Sequence, residues 1–89
     1  MSTRAERNAE LTSERKQLEK ADLDIEQGRE RYRQQQYLLT TMQLRGHDTT
    51  QAERLATLLG DTLMEWECHR GLILQRISHL EDLNQTLAD

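Results

Sequence analysis

Arg45-Gly46-His47-Asp48-Thr49-Thr50 is the only stretch of this chain where helix-ending and helix-starting residues meet. Gly46 suits the left-handed residue that closes a helix, because it has no Cβ to clash there. Asp48, Thr49 and Thr50 each suit the cap of a following helix. Thr50-Gln51-Ala52-Glu53 has the spacing of a capping box, and Asp48 has the same spacing with Gln51. Upstream of this break, apolar residues fall at every seventh position: Leu11, Leu18, Ile25, Tyr32 and Leu39. Downstream a second ladder follows: Ala52, Leu59, Trp66, Ile73, Leu80 and Leu87. Sevenfold spacing predicts long amphipathic helices, and the break makes two of them. The expected fold is all-α: one antiparallel, coiled-coil-like helical hairpin over 1–89, with helices near 3–45 and 50–88 and a turn at 46–49. A single continuous helix in a parallel coiled coil is the rival arrangement.

Folding the chain back at 46–49 pairs positions whose numbers sum to about 95. Met42 then meets the region of Ala52 to Leu55, Leu39 meets Ala56, and Tyr32 meets Leu63. Ala21 faces Ile73, and Leu18 faces Ile77. Gly28 falls opposite Trp66, the smallest residue against the largest. A helical glycine costs about 1 kcal/mol relative to alanine, so a bulky neighbour is its natural explanation. With Leu11 at position a, the d positions are Glu14, Ala21, Gly28, Gln35 and Met42, a narrow and partly polar seam. At the start of the chain Ser2 or Thr3 can cap, and Thr3 with Glu6 makes a capping box.

Composition supports extended helices. The 89 residues include no Pro and no Phe, two Tyr and one Trp, and 31% are charged. An internal Pro would break a helix at about 3 kcal/mol. Residues 1–45 carry nine Arg/Lys against eight Asp/Glu, a charge of +1, whereas 46–89 carry three against eight, a charge of −5. The net charge of −4 argues against a general nucleic-acid binder, which needs a positive face. One cysteine, Cys68, precludes an internal disulfide framework. The start lacks an apolar signal core, and no uncharged apolar run approaches the roughly 20 residues of a membrane span. A cytoplasmic location and no membrane partner are the expectation.

Chemistry-bearing residues are sparse. His47, Cys68, His69 and His79 are the candidate metal or nucleophilic groups, yet Cys68 and His69 are adjacent and diverge by about 100° on a helix. Glu65 and His69 have i,i+4 spacing, which supplies two ligands and leaves a metal site half built. Cys68 reads as a small, partly buried filler and His69 as a boundary residue paired with Glu65. No catalytic residue, cofactor or metal is expected. Glu67-Cys68-His69-Arg70-Gly71-Leu72 is similar over a few residues to histidine-phosphotransfer modules, in which an exposed imidazole accepts a phosphoryl group; Arg70 would neutralise its charge. Arg29, Arg31 and Arg33, with Tyr32 and Tyr37 nearby, are the best nucleic-acid candidate, joined by Arg45. Glu26 and Glu30 share their face, so a solvated, ion-paired surface is the stronger reading.

Leu44 through Leu55, followed by Leu59, Leu63 and His69-Arg70, resembles a set of small uncharacterised bacterial helical-hairpin proteins. These have a Gly-His-Asp-Thr turn between an Arg/Gln-rich helix and a Leu-rich one. The likeness is strongest over 28–70 and implies the hairpin and a bacterial setting, with no activity.

Two helices touching along one seam cannot cover the flanks of the second helix, notably Leu58, Leu72 and Leu74. Uncovered apolar surface of that kind marks contact sites. The expected function is therefore a non-enzymatic protein–protein interaction module. It acts as a homodimer in a four-helix bundle and can bind a helical partner. The expected interface is Leu58, Leu59, Trp66, Leu72, Ile73, Leu74, Ile77 and Leu80. Phosphotransfer through His69 is the alternative from a different class, and a weak nucleic-acid adaptor is the third.

Overall fold

A computed structural model describes residues 3–86. Two helices, α1 (Arg4–Leu44, 41 residues) and α2 (Thr50–Thr86, 37 residues), pack along their length and span 67 Å by 15 Å by 14 Å. They run antiparallel, and among the described residues there is no strand.

The ends of the helices follow from local chemistry. Thr3 is extended and its hydroxyl oxygen accepts the Glu6 amide at 3.1 Å, filling one of the orphan donors of the first turn. Gly46 has φ +72°; its amide donates to the Gln43 carbonyl and that of His47 to the Met42 carbonyl. Those two bonds form a Schellman closure, which a left-handed residue permits. Asp48 then starts α2, its Oδ1 accepting the Thr50 amide at 3.0 Å and the Thr50 hydroxyl at 2.8 Å. The two bonds from Thr50 hold the Asp48 carboxyl below its ordinary range, the backbone amide contributing most. Neither capping box expected at this start forms: the Glu53 amide bonds the Thr49 carbonyl as the first helical bond, and the Glu53 carboxylate accepts from the Thr49 hydroxyl rather than pairing with Thr50.

Between these ends, spacings of three and four place one stripe of each helix inward. On α1 it includes Leu11, Leu18, Ala21, Ile25, Gly28, Tyr32, Gln35 and Leu39, all buried or half-buried. On α2 it includes Ala52, Ala56, Leu63, Trp66, Ile73, Ile77 and Leu80. The densest packing lies towards the free ends, where Leu11, Ile73, Ile77 and Leu80 cluster with Leu18 and Ala21 against them. Ile73 is the most enclosed, at 1% exposure. In the middle, Gly28 faces both Leu63 and Trp66; a Cβ there would stand 2.8 Å from Leu63 Cδ2 and 3.0 Å from Trp66 Cζ3. Tyr32 lies one turn from its expected neighbour: its ring covers Gly60 rather than Leu63, 3.3 Å from where a Cβ would be. The Leu87 rung of the expected ladder lies outside the described residues, as does Ser2.

Polar groups complete the seam. Arg7, 2% exposed, donates from Nε to Asn84 Oδ1 at 2.7 Å, and Asn84 Nδ2 donates to Asn8 Oδ1 at 2.9 Å. Gln35 Nε2, buried near the turn, donates to the Ala52 carbonyl at 3.1 Å. Among the described residues, ion pairs that cross between the helices include Arg15–Glu81, Arg29–Glu67, Asp22–Arg70 and Glu14–Arg76. Two have their cation on α1 and two on α2, so pairing follows local position rather than the charge imbalance between the halves.

Candidate functional site

The concave features of this hairpin are open troughs along the junction of its helices. One of them, near the free ends, is lined by Glu10, Ser13 and Glu14 from α1 and Leu72, Arg76 and His79 from α2. Among the described residues, Glu14 Oε2 is buried there with no hydrogen-bond donor, and Arg76 Nε stands 3.6 Å away as its counter-charge. Beside that pair the trough also holds the Glu10 carboxylate, the Ser13 hydroxyl and the His79 imidazole, with no hydrogen bond joining Ser13 to His79 among the described residues.

The candidate reactive residues are dispersed. His47 sits in the turn; Cys68, His69 and His79 lie exposed on α2. Cys68 is therefore not the partly buried filler expected, because its helical position points away from the seam. No ion pair joins His69 to Glu65 among the described residues, although i,i+4 spacing brings them together; both are exposed, where such pairs are weak. No group of three or more His, Cys, Asp or Glu is placed to hold a metal among the described residues. Arg70, the cation next to His69, donates instead across the seam to Asp22.

The arginine cluster is largely neutralised. Arg29 pairs with Glu67 at 2.8 Å, a partner on the other helix rather than Glu26. Arg33 pairs with Glu30, and that bond, followed by Coulombic attraction, lowers the Glu30 carboxyl below its ordinary range. Arg31 is exposed and Arg45 caps the C-terminus of α1. Tyr32 is half-buried, its hydroxyl accepting from Gln36 Nε2 at 2.7 Å, while Tyr37 is exposed.

What remains for binding is the apolar surface outside the seam. Of the eight residues expected at an interface, Ile73, Ile77 and Leu80 are buried inside the hairpin, and Leu59 and Trp66 are half-buried there. Leu58, Leu72 and Leu74 are free, at 61%, 54% and 40% exposure. They do not form one flank. Leu58 and Leu72, two heptads apart, share a side, whereas Leu74 is about 200° around the helix from Leu72. Leu55, grouped by sequence with the inward face, is 45% exposed and stands on the same side as Leu58. Leu38 of α1, also exposed, completes an apolar patch beside the turn. The signal that could have found this patch is the second 3–4 spacing in α2, running Leu55, Leu58, Thr62, Glu65, His69, Leu72.

No helix among the described residues is long and apolar enough to cross a membrane. No family model, curated protein or solved structure matches the chain.

Proposed function

We propose that this chain is a non-enzymatic helical interaction module that acts by self-association, with a second helical protein as a further partner. The observation that carries the reading is the exposure of Leu55, Leu58 and Leu72 on one side of α2, while the seam consumes only the inner stripe. Apolar side chains in that arrangement are covered by packing against another helix. A homodimer forming a four-helix bundle covers them with the surface already present in solution, and a cytoplasmic location accords with the charged exterior. The likeness of residues 28–70 to small bacterial hairpin proteins enters as a proposal of shared fold and bacterial setting only.

Light scattering tests this directly. The expected mass at tens of micromolar is twice 10.5 kDa. A monomer mass with full helicity across that range would end the self-association reading.

One observation favours a second reading: His69 is exposed, as a phosphoryl acceptor must be. Against it, the Arg70 guanidinium is already engaged across the seam by Asp22. Incubation with a small phosphodonor decides between them. Acid-labile phosphate at position 69, absent from His69→Ala, would replace the interaction module with a phosphotransfer role.

A further inference from the structure

We propose that two copies pair through the side of the hairpin carrying Leu38, Leu55 and Leu58, about a two-fold axis parallel to the helices, with both turns at one end. The inference rests on the self-association reading and adds the face and the orientation.

The register of the hairpin carries the argument. Asp22 bonds Arg70, and Tyr32 covers Gly60, so residues whose numbers sum to about 92 lie level across the seam. Leu38 is therefore level with Leu55, and both belong to the side that also carries Leu58. An axis parallel to the helices preserves these levels. It lays α1 of one copy over α2 of the other, antiparallel and without freedom to slide. Leu38 then meets Leu55 and Leu58 of the second copy, and the symmetry doubles the contact into six leucines at the turn end.

Farther along the same side, charge follows the same register. Arg31 comes over Glu65 of the second copy within one helical turn, and Asp24 comes over His69. Arg31, Asp24 and Glu65 have no ion pair within their own chain among the described residues, so these charges are available to a partner. An axis perpendicular to the helices instead lays each helix on its own copy with the turns apart. At full overlap of the two hairpins, Leu38 would then lie over the polar free end of α1, near Glu10 and Ser13. Apolar on apolar and Arg31 on Glu65 select the parallel axis.

Spin labels on His47→Cys in a Cys68→Ser background read the orientation. With the turns together, the labels are separated by well under half of the 67 Å length of the hairpin. The face is read from dissociation constants. Leu58→Lys weakens dimerisation at least roughly tenfold, while Leu74→Lys, on the opposite flank, changes it by less than about twofold. Glu65→Arg weakens it by roughly tenfold at low salt, and adding Arg31→Glu restores it. A dimer with labels near the full hairpin length, a dominant effect at Leu74, or failure of the charge swap overturns this arrangement while self-association stands. A monomer overturns both.

Discussion

Gly28 has no side chain, yet it decides how closely the two helices approach in their middle. A Cβ there would lie 2.8 Å from a Leu63 methyl and 3.0 Å from the Trp66 ring, and only the methyl can rotate away. Gly28→Leu is expected to destabilise the hairpin by about 1–3 kcal/mol, although leucine is the better helix former. Urea melts report it; a higher midpoint would show that the indole does not occupy that site. Glu14 is the opposite case, a charged residue at a seam position. Its Oε2 is buried without a donor, and a pair 3.6 Å apart returns little of the desolvation. Glu14→Leu, continuing the apolar stripe between Leu11 and Leu18, should therefore stabilise by about 1 kcal/mol. A loss of stability would mean that Arg76 needs this carboxylate more than the seam needs an apolar group.

At the scale of the elements, the turn holds together by six residues whose side chains and backbone satisfy each other. The Schellman closure ends α1 and Asp48 opens α2, so the reversal requires no contact from elsewhere. The Asp48 carboxyl titrates below its ordinary range in the folded chain. Its contribution is therefore complete above the unfolded value of about 4 and is lost as pH falls through the lower folded value. Raising the pH from 5 to 8 should leave the turn unchanged. A carboxyl NMR titration paired with exchange of the Thr50 amide measures this, and an Asp48 midpoint at or above the ordinary value would refute it. The helices themselves owe most of their stability to the seam, because packing of an amphipathic face, rather than propensity, supplies most helical stability in proteins.

The whole molecule is a rod with one layer of buried side chains, and that geometry bounds both its stability and its activity. Each helix has one neighbour, so only an inner stripe is dry and the leucines outside it stay in water. If a second copy covers them, folding is coupled to association, and the melting temperature should rise with protein concentration. Calorimetry at concentrations a hundredfold apart checks this; superimposable transitions would show that the hairpin is stable alone. The same thinness keeps His69, Cys68 and His79 on the outside, apart from any water-excluding pocket.

The two ladders and the Gly46 break were enough to place both helices, their inward stripes and the approach of Gly28 to Trp66, because heptad spacing and end-capping are local in sequence. Asp48 was legible as a candidate start for α2 for the same reason, but its partner, Thr50 rather than Gln51, was not. The placement of Tyr32 over Gly60 was not, since a register error of one helical turn leaves every residue on the same face. The angular split of Leu55, Leu58 and Leu72 from Leu74 was in the 3–4 spacing, but that Leu55 lies outside the seam, on the side of Leu38, needed the folded pair. Angular position has meaning only once the direction of the neighbouring helix is known. The partnership of Arg70 with Asp22 rather than with its own neighbours came from the same source, because charges pair across the seam by level and not by order in the chain.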